Sequence, residues 1–209
     1  ADERMLHHAL LQVATSGYRD GAFYPHVRRR KVVDPAVRRI AIRADGSRAT
    51  GLGHVSRCLA LAERLVQHGL HVELLSMLLP PQMSRWAKDI GVRQRLITAT
   101  PGSTDDAVQL IEQQPDVSII DGYRFSRAFF QVLSEQASAH VVVDDNGDTP
   151  ALTPSLIINQ NPHGSRLLYS HVSSSTGLLL GLRYALIRSD IVNARRTRSE
   201  YRPVSTTMQ

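Results

Sequence analysis

The sequence predicts an α/β protein: a Rossmann-like, doubly wound parallel sheet. Three observations carry this. Short apolar runs recur along the chain, segments with helical periodicity separate them, and polar residues close the runs on what would be one rim of a sheet. Strands that are apolar throughout, rather than alternating, are those buried on both faces of a parallel sheet.

The elements follow in order. Residues 40–42 form a first apolar strand, ending in Arg43-Ala44-Asp45-Gly46-Ser47. Gly51-Leu52-Gly53-His54 then leads into a helix whose Cys58, Leu61, Ala62 and Leu65 share one face, with Gly69 as its C-terminal stop. Residues 71–77 are a second strand, 81–90 a helix and 92–97 a third strand. Ser103 is placed to cap a helix over 104–113, before a strand at 116–120 that ends at Asp121. A helix over 126–137 precedes a strand at 140–143, which ends at Asp144-Asp145. A strand at 155–158 ends at Asn159-Gln160-Asn161, and 178–180 is the last apolar run. Residues 1–37 read as an N-terminal extension or part of an upstream fusion, 38–191 as the sheet domain and 192–209 as a C-terminal tail.

Composition excludes several classes. With 25 Lys+Arg against 19 Asp+Glu the net charge is +6. Residues 1–37, 38–189 and 190–209 each carry a surplus of two, so no long basic stripe marks a nucleic-acid binder. The run Arg28-Arg29-Arg30-Lys31 and the cluster Arg195, Arg196, Arg198 and Arg202 read as solvated surface. No run reaches the roughly 18 apolar residues of a membrane-spanning helix. A single cysteine, Cys58, forbids an intrachain disulfide and reads as core. His7-His8 stand alone, without a Cys/His cluster or H-E-x-x-H, so neither a metal nor a cofactor is expected.

In a doubly wound sheet, ligands bind beyond the carboxyl ends of the strands. Asp45, Asp121, Asp144, Asp145 and Asn159 all follow strands there. Gly51-Leu52-Gly53-His54-Val55-Ser56-Arg57 is the strongest local signal. Its glycines let a ligand approach the backbone, and the helix start offers unpaired N–H groups to an anion. It is neither a dinucleotide fingerprint nor a Walker loop, because the third glycine and the Gly-Lys-Ser/Thr are missing. His54 has two readings: a general base acting on water or a sugar hydroxyl, or a helix cap. Arg57 either pairs with a carboxylate such as Asp45 or binds substrate.

The stretches 42–47 and 51–58 resemble the N-terminal motif of the UDP-2,4-diacetamido-2,4,6-trideoxy-β-L-altropyranose hydrolases of pseudaminic acid biosynthesis. That family also includes spore-coat polysaccharide glycosyltransferases. Asp121-Gly122-Tyr123, Val143-Asp144-Asp145, Asn159-Gln160-Asn161 and Gly181-Leu182-Arg183-Tyr184-Ala185-Leu186-Ile187-Arg188 follow in the same order, so the resemblance spans about residues 39–191. Leu182, Ser189 and Ser56 depart from the family pattern, which usually has Pro, Pro and Met.

The resemblance implies the N-terminal, sugar-side half of a glycosyltransferase-B-like fold. It implies hydrolysis of the sugar–UDP bond with inversion, with His54 as the catalytic base. It implies that Arg43, Asp45 and Tyr123 line the sugar pocket, and Gly53, Arg57, Asp121, Asp145, Asn159, Asn161 and Tyr184 complete the expected substrate-binding set. A glycosyltransferase of polysaccharide synthesis on the same fold, and a non-catalytic half needing a partner domain, are the alternatives. The expected partners are a UDP-linked amino sugar and a C-terminal nucleotide-binding domain on another chain, with no nucleic acid and no membrane span. The expected location is the cytoplasm.

Overall fold

The computed structural model of the chain describes residues 39–47, 51–136 and 139–199. The expectations for residues 1–37 lie outside them. Seven strands form one sheet: β1 (Arg39–Ala44), β2 (His71–Ser76), β3 (Arg93–Leu96), β4 (Val117–Asp121), β5 (Ala139–Val143), β6 (Leu156–Asn159) and β7 (Gly177–Leu180). Among the described residues five α-helices accompany them: α1 (Gly53–Gln67), α2 (Pro81–Asp89), α3 (Thr104–Ile111), α4 (Arg127–Ser134) and α5 (Ser189–Ser199).

All six strand pairings are parallel, in the order β3-β2-β1-β4-β5-β6-β7. The chain runs outward from β1 to β3, returns to the other flank of β1 and runs outward again through β7. The point of reversal lies between β1 and β4. There Ala44, the last residue of β1, stands beside Asp121, the last residue of β4. A crevice outside the carboxyl ends of the strands is open at this place, because the connections leave it in opposite directions.

The two faces have separate cores, and strand alternation decides which side chain goes to which. Ile40, Ile42 and Ala44 of β1 join Cys58, Leu61 and Leu65 of α1 and Met83 and Ala87 of α2. Ala41 joins Leu110 of α3 and Phe129, Phe130 and Leu133 of α4 on the opposite face. Arg43 has the same parity as Ala41 and so points to the α3–α4 face, where it is fully buried.

Local details agree with the periodicity. Gly69 has φ +83, a left-handed turn that ends α1 at little cost. Ser103 accepts the Asp106 N–H at 3.2 Å, and Ser126 caps α4 in the same way by accepting the Phe129 N–H. Some elements differ from expectation. β3 reads Arg-Gln-Arg-Leu and is exposed throughout, as suits an edge strand, whose charge discourages pairing with another sheet. Helix α4 stops at Ser134, with Glu135 as its C-cap.

His140 of β5 is 5% exposed, and its Nε2 has no hydrogen-bond partner. Burial lowers its pKa from 6.5 to about 4. The unfolded chain therefore binds one more proton than the folded one between these values. Stability is full above pH 6.5 and falls as pH drops towards 4, by roughly 3 kcal/mol from this residue. Urea unfolding across that window, compared with His140→Leu, checks this. The variant should lose this part of the acid sensitivity.

Candidate active site at the sheet reversal

Helix α1 starts directly behind the carboxyl end of β1. Its N-cap residue, Leu52, makes no side-chain cap, and its first turn has no acidic residue. Gly53 is exposed, and a Cβ built there would meet nothing within 4 Å.

One turn of α1 brings His54 and Arg57 to the same side, three residues apart. His54 Nδ1 lies 2.7 Å from Asp121 Oδ1. Arg57 NH2 also lies 3.1 Å from this nitrogen, but an ionised carboxylate at 2.7 Å only accepts, so Nδ1 donates to Asp121 and, in the neutral ring, Nε2 holds the lone pair. No hydrogen bond among the described residues occupies Nε2.

Arg57 forks onto Asp121, with Nε 2.6 Å from Oδ2 and NH2 2.6 Å from Oδ1. Its NH1 reaches Asp145 Oδ1 and Oδ2 at 2.8 and 2.9 Å. One guanidinium thus joins β4 to the loop after β5. Asp121 is fully buried, while the side chains of His54 and Arg57 are 13% and 11% exposed, so these charges act in a medium poor in water. Burial alone would lower the Arg57 pKa, but hydrogen bonds and charge attraction from Asp121 and Asp145 outweigh it and hold the guanidinium firmly charged. Burial likewise pushes the Asp145 carboxyl up, and Arg57, Tyr123 and Asn161 together pull it below its usual range.

The Cys58 thiol donates to Asp121 Oδ2 at 3.4 Å from inside the core. Burial, then the Asp121 charge, raise its pKa well above normal, so it is a thiol and not a nucleophile. Tyr123 is 68% exposed and donates its hydroxyl to Asp145 Oδ2 at 2.9 Å. Its ring stands edge-on to His54, with centroids 4.7 Å apart. Asn161 donates to Asp145 Oδ1 at 2.9 Å.

A pocket of about 200 Å³ opens beside this network. Asp45, His54, Asp121 and Tyr123 line it, with an apolar wall of Met77, Leu78, Pro101 and Phe125. Among the described residues no three His, Cys, Asp or Glu side chains group as a metal would need.

The geometry separates the expected site residues. His54, Arg57, Asp121, Tyr123, Asp145 and Asn161 form one hydrogen-bonded cluster. Asp121 does not face a ligand with a free oxygen, since both oxygens serve His54, Arg57 and Cys58. Arg57 does not pair with Asp45, whose partner is Arg43 at 2.8 Å. Arg43 does not line the pocket, because it is fully buried on the α3–α4 face of the sheet. Asn159 is buried too. Its Nδ2 donates to the Tyr169 hydroxyl and its Oδ1 accepts the Asn161 N–H, so it shapes the loop that presents Asn161. Tyr184 packs into the α1-side core. Asp144 turns inward and accepts the N–H groups of Asn146, Gly147 and Thr149, which folds its own loop. The apolar wall escaped the sequence reading, because Met77, Leu78, Pro101 and Phe125 carry no motif.

No protein-family model matches the chain, and no curated protein sequence matches it. Solved structures similar to this chain include the following three. MurG of Acinetobacter baumannii is 15% identical, over 69% of this chain and 46% of that one, with a TM-score of 0.44. A glycosyltransferase of Rickettsia africae is 7% identical, over 68% of this chain and 42% of that one, with a TM-score of 0.48. A UGT transferase of Siraitia grosvenorii, solved in complex with UDP, is 18% identical, over 53% and 29%, with a TM-score of 0.34. The chain spans less than half the length of each of these proteins. Identities and scores this low identify no family, and the fold class rests on the sheet order and register described above.

Proposed function

We propose that this chain forms the sugar-side half of a nucleotide-sugar enzyme, and that it cleaves the sugar–UDP bond with His54 as general base. The observation that carries the reading is the His54–Asp121 pair beside an open pocket at the sheet reversal. Asp121 orients the ring and stabilises the imidazolium that forms, and Arg57 holds Asp121 in place.

In the hydrolytic reaction, Nε2 of His54 takes a proton from water as the water oxygen bonds the anomeric carbon. The bond from that carbon to the phosphate oxygen breaks, and UDP leaves with the electron pair. The uncapped first turn of α1 supports the same reading, since its N–H groups favour developing negative charge. The substrate that fits the reading is UDP-2,4-diacetamido-2,4,6-trideoxy-β-L-altropyranose. Met77, Leu78, Pro101 and Phe125 offer apolar surface to acetamido and deoxy methyl groups, where a fully hydroxylated sugar would leave its hydroxyls without partners. In this reading a second, nucleotide-binding domain supplies most contacts to UDP.

A transferase uses the same base on an acceptor hydroxyl, so the decisive experiment varies the acceptor. UDP release from that UDP-sugar is measured with and without a candidate acceptor glycan. Release into plain buffer is the expected result. Release that appears only with acceptor replaces hydrolysis by transfer. Absence of release and of sugar binding, in a chain whose circular dichroism shows it folded, overturns the reading.

A further inference from the structure

We propose that Arg43 is the positioning residue of the pocket wall: its buried guanidinium couples two separate loops that both line the cavity. The claim for substrate affinity rests on the sugar reading above, whereas the coupling of the loops does not.

The contacts form a continuous chain. Asp45 Oδ1 accepts the Ser76 hydroxyl at 3.0 Å and the N–H groups of Met77 and Leu78 at 2.7 and 3.2 Å. Asp45 therefore holds the loop after β2, which forms one wall. Its other oxygen lies 2.8 Å from Arg43 NH1, an ion pair without hydrogen-bond alignment. Arg43 Nε donates to Asp106 Oδ1 at 2.8 Å, and Asp106 Oδ2 accepts the Gly102 N–H at 2.8 Å. Asp106 therefore holds the loop before α3, which contributes Pro101 to the same lining. The Arg43 guanidinium also lies 5.6 Å from the centre of the Phe125 ring, a third part of the lining.

The far loop has little freedom of its own. At Gly102, φ is +79, and a Cβ would come within 1.9 Å of the Arg124 carbonyl oxygen. Ser126 donates its hydroxyl to the Gly102 carbonyl at 2.8 Å, which ties the same point to α4. Arg43 is the link between this rigid side and the Met77–Leu78 lip. A planar fork reaches two carboxylates at once, and a lysine ammonium in the same place reaches one. If Arg43 served stability alone, no connection between the loops would be needed.

Hydrogen–deuterium exchange resolved to single amides tests this on Arg43→Lys, and on Arg43→Met combined with Asp106→Asn, which leaves no stranded carboxylate at Asp106 should the lysine variant fail to fold. The expected result is exchange about tenfold faster at Met77 and Leu78, with β4 and β5 amides unchanged. An equal rise in every strand, or no change at the two loop amides, overturns the proposal. If the wild-type chain releases UDP from the sugar above, Arg43→Lys should also raise KM several-fold and leave kcat nearly unchanged. If the wild type releases none, the sugar reading fails, and the exchange result still decides the coupling.

Discussion

Replacing His54 with alanine is expected to lower the rate of UDP release by about 10³-fold, the effect of removing a positioned general base. The loss should appear in kcat. In the proposed hydrolysis the imidazole meets the reacting water only as the proton moves, whereas the pocket walls of Met77, Leu78, Pro101 and Phe125 stay intact. The fold should survive, since the ring contributes little core and lies partly exposed. Asp121→Asn offers a graded comparison. An amide in place of the carboxylate can present its nitrogen to Nδ1 and favour the tautomer with the proton on Nε2. Activity should then fall although His54 remains. A His54→Ala chain as active as the wild type would remove the histidine from the reaction.

The second large effect is expected at Arg57. Arg57→Met leaves Asp121 and Asp145 facing each other without their shared cation, and Asp121 is fully buried. Breaking a buried pair on one side costs about 3–5 kcal/mol, because the remaining charge has no partner and little water. Urea unfolding should register that loss, and UDP release should fall with it as Asp121 no longer orients His54. Arg57→Lys is the informative control. It keeps the charge but cannot form the fork to Asp121 and the second contact to Asp145 together. Stability should recover in part, and activity much less. Equal recovery of both would mean that the charge alone matters, and not the geometry.

Both predictions depend on contacts that span the chain. His54 and Asp121 are 67 residues apart, and Arg57 and Asp145 are 88 apart. No periodicity links such positions. What sequence spacing does convey is that His54 and Arg57 share a helix face, and that Asp121 and Asp145 end or follow strands. The parallel sheet then turns those separate facts into one place, because all its carboxyl ends point to the same rim.

The elements themselves were legible because local rules govern them. Apolar runs in 40–42, 116–120 and 140–143 mark strands buried on both faces, and the spacing of Cys58, Leu61, Ala62 and Leu65 marks α1. β3 was legible as a strand but not as an exposed one, since edge position is a property of the sheet and not of the segment. Among the site residues, Arg43, Asn159 and Tyr184 sit in motifs whose resemblance implies ligand contact. Strand parity gives the face a side chain points to, but only packing decides what covers that face, and it buries all three.

The amino-acid sequence by itself determined the fold class, the order of strands and helices, and the loop that presents His54, because hydrophobic period, caps and glycines act over a few residues. The tertiary structure alone decided the rest. It set the reversal between β1 and β4, made Asp121 the partner of His54, and made Arg57 the bridge to Asp145. It also buried Arg43 beneath the pocket between Asp45 and Asp106. The physical reason is the same in each case. A charge leaves water only where other parts of the chain have already brought a counter-charge, and that meeting is arranged by packing across the whole sheet.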